Sequence, residues 1–196
     1  NTMKKTLCII SLLCTVFVVG QDTENGNLIA LDSTWGTEMF PFPISFAKNI
    51  DYEGIAEVRF PPKGWRTEDH PFFWSYTYAW DINLDRKITA TELAADLVKY
   101  FDGLNRVTKT NNIDQKATAV IVKTKRKNST TFFKGSIDTY DHFTTNKRFT
   151  LNVLIENHYC KKEKRTVILF KFSPKGFKHI VWETLESIKL HNTDCY

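Results

Sequence analysis

Beyond residue 20 the chain has no apolar run long enough to cross a membrane, no linker that divides it into two cores, and little excess of either charge. Each absence excludes something. Taking Lys4 and Lys5 from the 27 basic residues leaves 25 against 22 acidic ones, a net charge of +3 that lacks the basic stripe of a nucleic-acid-binding protein. No nucleic-acid partner is therefore expected. Catalytic machinery is equally sparse. No serine or cysteine sits in a nucleophile-elbow setting, and no two of the five histidines have zinc-ligand spacing.

What is present begins with an export signal. Lys4 and Lys5 precede an apolar run from Leu7 to Val19, and Val18-Val19-Gly20 gives a small-residue cleavage pattern before Gln21-Asp22. Leu12 and Leu13, just before Cys14, do not fit a lipidation site. The reading is a signal peptide over 1–20 and a single α+β domain over 21–196, exported to the periplasm or secreted, with no transmembrane segment in the mature chain. Removing Cys8 and Cys14 leaves Cys160 and Cys195, and two thiols in an oxidising compartment invite a disulfide between them.

From Ala117 onward apolar residues alternate: Val120 and Val122, Ile137 and Tyr140, Phe149 to Ile155, then Val167 and Leu169. This predicts a four-stranded antiparallel meander with polar, basic hairpin tips at 123–127 and 161–165. The tips are read as solvated turns, with an anionic surface partner as the other reading. Upstream lie strands at 55–60 and 73–80 and a helix at 91–104 whose stripe is Leu93, Leu97, Tyr100 and Phe101. A closing helix at 179–189 is marked by Ile180, Leu185 and Ile188, with Trp182 widening its apolar face. The expected architecture is an antiparallel sheet of five to seven strands carrying two main helices.

One heptapeptide occurs twice in variant form, FPPKGWR at 60–66 and FSPKGFK at 172–178. Both copies end a strand and both run Pro-Lys-Gly, which suits a turn, after which Trp65 or Phe177 can fold back over the sheet end. The flanks differ completely, so the pair reads as one turn solution found twice.

Three stretches carry residues with chemistry. In "DINLDRKITATE", 81–92, oxygen-bearing side chains stand at the first, third and fifth places and glutamate at the twelfth. The stretch resembles an EF-hand calcium loop, and the resemblance implies Asp81, Asn83, Asp85, Lys87 (through its carbonyl), Thr89 and Glu92 as metal ligands. Arg86 stands where the family has glycine, and the incoming segment alternates like a strand. Thr89-Ala90-Thr91-Glu92 also reads as a helix capping box, with Asp81, Asn83 and Asp85 as turn formers. Second, Trp74, Tyr76, Tyr78 and Trp80 share one strand face, a ladder that serves as core when buried and as a sugar-stacking platform when exposed. Trp35, Phe40, Phe42 and Phe46 add rings with no assigned place. Third, histidines stand near acids at Asp69-His70, Asp141-His142, Glu156 to His158 and His179 to Glu183, raw material for general-base catalysis or metal ligation.

The run "FPFPISFAKNIDYEG" through "RFPPKGW", "WSYTYAW" and "YFDGL" resembles exported bacterial proteins of uncharacterised function, which implies no activity and no site. The residues themselves favour a non-enzymatic binding or interaction protein, with a carbohydrate or cell-surface partner in view. The alternative is an exported hydrolase using an Asp-His pair or a loop-bound calcium ion. Two histidines converging with a carboxylate in one cleft would favour the hydrolase.

Overall fold

The computed structural model describes residues 27–108 and 116–191. Their strands are β1 (Gly36–Phe42), β2 (Gly54–Phe60), β3 (Tyr76–Ile82), β4 (Thr118–Lys127), β5 (Thr130–Asp141), β6 (Lys147–Cys160) and β7 (Arg165–Ser173). They form one sheet in the order β1-β2-β3-β7-β6-β5-β4, with every neighbouring pair antiparallel. The meander expected from Ala117 onward is β4 to β7, and the total of seven strands matches the expected sheet.

The chain leaves β3 in the middle of the sheet and enters β4 at its far edge, so something must cross. The crossing is α1 (Ala90–Thr108). At 1.5 Å per residue its 19 residues span about 28 Å, more than the four strand spacings of about 4.8 Å that separate β3 from β4. Thr89 starts it as a capping box. Its hydroxyl accepts from the Glu92 N–H at 3.2 Å, while the Glu92 carboxylate accepts from the Thr89 N–H at 2.9 Å. Leu93, Leu97, Tyr100 and Phe101 are buried as the stripe requires, and the helix runs four residues past its expected end.

The two faces of the sheet are covered differently. Under α1 lie Ala56 and Val58 of β2, Tyr76, Tyr78 and Trp80 of β3, Ile168, Phe170 and Phe172 of β7, and Leu151, Val153 and Ile155 of β6. The ring ladder is thus core. Trp80 and Tyr78 are fully buried, and truncating a ring of this kind to alanine costs about 3–5 kcal/mol. On the opposite face Ala79, Val167 and Leu169 are covered by α2 (Val181–Ser187) through Val181, Trp182 and Leu185. Ile180, expected on the apolar face of that helix, is exposed at its N-cap. Segment 28–32 lies on the same face. Buried Glu57 accepts from the N–H groups of Leu28 and Ile29, and buried Arg59 donates to the carbonyls of Leu31 and Asp32. Among the described residues no helix is long and apolar enough to cross a membrane.

β1 stands outside the expectations, which left its aromatics unplaced. It is an edge strand, mostly exposed, followed by a cis Phe42-Pro43 peptide bond. Its alternation is weak because one face meets solvent and Pro41 interrupts the pattern.

The repeated heptapeptide acquires a structural meaning. β2 and β7 flank β3 on either side, run in the same direction and end at the same edge of the molecule. Phe60 and Phe172 both lie against Tyr76, with ring centroids at 5.8 and 4.9 Å. After each copy the chain turns back through a histidine that organises the next turn. His70 Nδ1 accepts from the Phe72 N–H and its carbonyl from the Phe73 N–H, and His179 repeats the arrangement with Val181 and Trp182. The glycines are not equivalent. Gly64 takes φ +86°, and a methyl group there would meet His70 Nδ1 at 1.9 Å, whereas Gly176 has open space around it.

Candidate functional site

On the α1 face, the C-terminal half of α1 does not close fully against β1, β2 and the start of β3. A cleft of about 250 Å³ remains. Phe40, Phe46, Phe60, Tyr76 and Tyr100 form its walls, and Trp65, Trp74 and Phe143 close one end. Glu38 and Arg66 are its two charged residues.

The loop between β2 and β3 builds the closed end. Trp65 folds back onto Phe60 and stacks at 4.6 Å, as the turn chemistry implied. Its carbonyl accepts from the Trp74 N–H at 2.9 Å, which ties the two halves of the loop together and sets the indoles edge to face at 5.4 Å. Phe143, from the β5–β6 hairpin, touches both rings. Asp141 holds that hairpin, accepting from the backbone N–H groups of Phe143, Thr144 and Thr145.

Two observations set this cleft apart from ordinary core. Trp74 adopts φ +48°, a conformation that costs a bulky residue of order 1–3 kcal/mol and persists only where surroundings enforce it. Its indole N–H is buried without an acceptor among the described residues, as is that of Trp80 in the core under α1, so the backbone strain is what distinguishes it. Arg66 is exposed at the lip, with its guanidinium 4.8 Å from the ring centroids of both Trp65 and Phe143 and no carboxylate partner among the described residues. An arginine held between two rings is pre-oriented, its charge available to a ligand. Burial and then the nearby Glu38 charge push the Tyr100 phenol far above its usual range, and burial does the same to Tyr76, so both hydroxyls stay protonated.

The expected calcium ligands lie elsewhere, at the opposite end of β3. Asp81 pairs with Arg165 at 3.0 Å, and burial pushes its pKa up despite that partner. Asp85 accepts from the Tyr159 hydroxyl at 3.0 Å and faces Lys164 at 4.0 Å. Glu92 pairs with Arg86 at 2.7 Å, and that hydrogen bond, with those from Thr89, holds its carboxyl down to about 2. The backbone N–H of Asn83 donates to the Glu53 carbonyl, the Lys87 carbonyl accepts from Arg86, and Thr89 is the cap. The carboxylates thus face three different cations instead of one another, and no group of three or more His, Cys, Asp or Glu residues among the described residues could hold a metal. Cys160 is buried and disulfide-bonded, while Cys195, its expected partner, lies outside the described residues, as does segment 1–20, expected to be a signal peptide.

The histidines serve separate places. His70 and His179 organise the two turns described above, and His142 lies against Tyr140 in the β5–β6 hairpin. His158 lies on β6 with Nδ1 2.9 Å from the Thr130 hydroxyl and Nε2 3.8 Å from Glu156. None lines the aromatic cleft. Sequence reasoning placed Phe40, Phe46, Trp65 and Trp74 among notable aromatics but missed their convergence with Arg66. The one available signal was the Trp-Arg that follows the first Pro-Lys-Gly, where the second copy has Phe-Lys. Comparison with protein-family models, curated proteins and solved structures finds no match for this chain.

Proposed function

We propose that this is an exported, non-enzymatic binding protein whose aromatic cleft takes a small ring-bearing ligand with an anionic or hydrogen-bond-accepting end. The observation that carries the reading is Arg66, whose guanidinium lies over the rings of Trp65 and Phe143 without a carboxylate partner among the described residues, at the lip of an apolar cleft lined in part by the strained Trp74. A preformed apolar cavity with a few convergent polar groups is the usual form of a small-ligand site. The apolar body would lie among Phe40, Phe46, Phe60 and Tyr100, and its acceptor would reach Arg66. The hydrolase alternative gains no support at this cleft, which no histidine lines.

The test is a thermal-shift screen with benzoate, cyclohexanecarboxylate and benzyl alcohol as probes, followed by calorimetric titration of the best. A ligand that binds the native state raises its melting temperature. The ring carboxylates should stabilise the protein, Arg66→Gln should erase their advantage over the alcohol, and Trp74→Phe should weaken both. Stabilisation by none of the three, or equal stabilisation of wild type and both variants, would refute the cleft as the site.

A further inference from the structure

The two basic runs of the sequence are far apart in the chain, but the register brings them together. Thr130 pairs with His158 and His158 with Val167, so the β4–β5 and β6–β7 hairpins project from the same end of the sheet. Lys123, Lys125, Arg126, Lys127, Lys161 and Lys162 are all exposed there, without an ion-pair partner among the described residues. The nearby acids are already engaged, Asp81 and Glu163 with Arg165 and Asp85 with Lys164.

The basic end continues onto a sheet face that α2 leaves open. Val120 and Val122 are exposed on that half, and a cleft of about 560 Å³ lies between β4–β6 and α2. Lys125, Lys134, Lys171 and Lys189 line it against Glu156 and Glu186. Lys171 and Glu156 neutralise each other at 2.6 Å, which leaves the other lysines in excess. The Lys134 ammonium sits 3.8 Å from the Phe177 ring centroid and that of Lys125 4.8 Å from Phe132.

We propose that the two hairpin tips and this cleft form one continuous surface for an acidic polysaccharide. The tips stand about two strand spacings, roughly 10 Å, apart, which is comparable with the Debye length of about 10 Å at 0.1 M salt, so their fields add. A single small anion needs one tip; an extended chain with repeated charges uses both and the cleft. The tips at 123–131 and 161–166 contain no apolar residue to enter a bilayer. An ammonium group lies over one face of each of the Phe132 and Phe177 rings, and a covered face offers no stacking platform to nucleic-acid bases. This surface is on the opposite sheet face from the aromatic cleft and stands or falls independently of it.

The experiment titrates the full chain with heparin and with alginate, with dextran as the neutral control, at several salt concentrations. Anionic vesicles containing phosphatidylglycerol and duplex DNA are run alongside. Both acidic polysaccharides should bind, dextran should not, and affinity should fall at least about tenfold between roughly 50 and 200 mM salt. The triple variant Lys127→Gln, Lys161→Gln, Lys162→Gln should weaken binding at least about tenfold, while Lys63→Gln, Lys147→Gln, Lys178→Gln, which removes equal charge from the other end of the sheet, should change it less than about twofold. Melting temperatures of both triple variants should match wild type. Equal loss in the two variants, no polysaccharide binding at low salt, or tighter binding of vesicles or DNA than of polysaccharide at the same salt would each overturn the proposal.

Discussion

The Phe46 carbonyl lies 2.2 Å from where a side chain at position 103 would begin, so the loop before β2 rests directly on the backbone of α1. That approach places the Phe46 ring against Tyr100 at 5.3 Å and makes it a wall of the aromatic cleft. A glycine inside a helix ordinarily costs about 1 kcal/mol relative to alanine, and here the close approach explains its presence. Gly103→Ala should therefore destabilise the protein, against the helix-propensity trend, by about 1–3 kcal/mol, read from urea denaturation. Ligand affinity at the cleft should fall with it. A more stable variant would show that the loop is free to move away.

Buried Lys171 and half-buried Glu156 are joined at 2.6 Å. For Glu156, burial alone would raise the pKa, but the neighbouring His158 and Lys171 outweigh it and hold the carboxyl down to about 2; burial, the larger influence on Lys171, pushes the ammonium's pKa down. The low folded value of Glu156 means that it contributes stability above its unfolded value of 4.5, and that this is lost as pH falls toward 2. Glu156→Gln should cost about 3–5 kcal/mol at neutral pH by stranding the buried ammonium. Lys171→Met added to it should recover most of that loss and flatten the acid limb of the stability curve. A double variant as unstable as the single one would refute the coupling.

The loop at 81–92 allows calcium and the capping box to be separated. Thr89→Ala should cost about 1 kcal/mol with or without calcium, because its hydroxyl caps α1. Calorimetric titration of calcium into chelator-treated protein, wild type and Arg86→Gly, should show no heat, since Arg165, Lys164 and Arg86 occupy the carboxylates. Saturable heat in either protein would restore the calcium reading.

Non-reducing peptide mapping of the protein should find Cys160 linked to Cys195. In the chain-entropy picture such a bridge contributes about 3–4 kcal/mol, so reduction should lower the melting temperature by roughly 6–16 °C for a chain of this size. Two alkylatable thiols would exclude it.

The parts of the fold that were readable before the structure are those where one physical preference dominates. Alternation over β6 is strong because one of its faces is sealed under α1 and the other is partly open, β7 shows as an apolar run because both its faces are covered, and Thr89 to Phe101 combines a cap with an unbroken stripe. β1 was missed because its only strong neighbour is β2, which leaves Gly36 to Met39 exposed and without a pattern. Trp74 was placed in a strand because its spacing continues that of Tyr76 and Tyr78, and no local signal marks a tryptophan at φ +48°. The aromatic cleft needed three segments, around Trp65, Tyr100 and Phe143, whose meeting depends on strand order, which periodicity does not encode. The same holds for the basic hairpins, read separately as solvated turns and joined by register alone.

Strand β4 ends the sheet, and with it a row of backbone N–H and C=O groups that another strand can extend. Lys123, Lys125 and Lys127 stand along that margin. A second copy adding itself there, in either direction, would bring like charges into a dry seam. The lysines thereby discourage the fibrillar stacking to which a long antiparallel sheet with exposed valines is prone, and hold the molecule to its own seven strands.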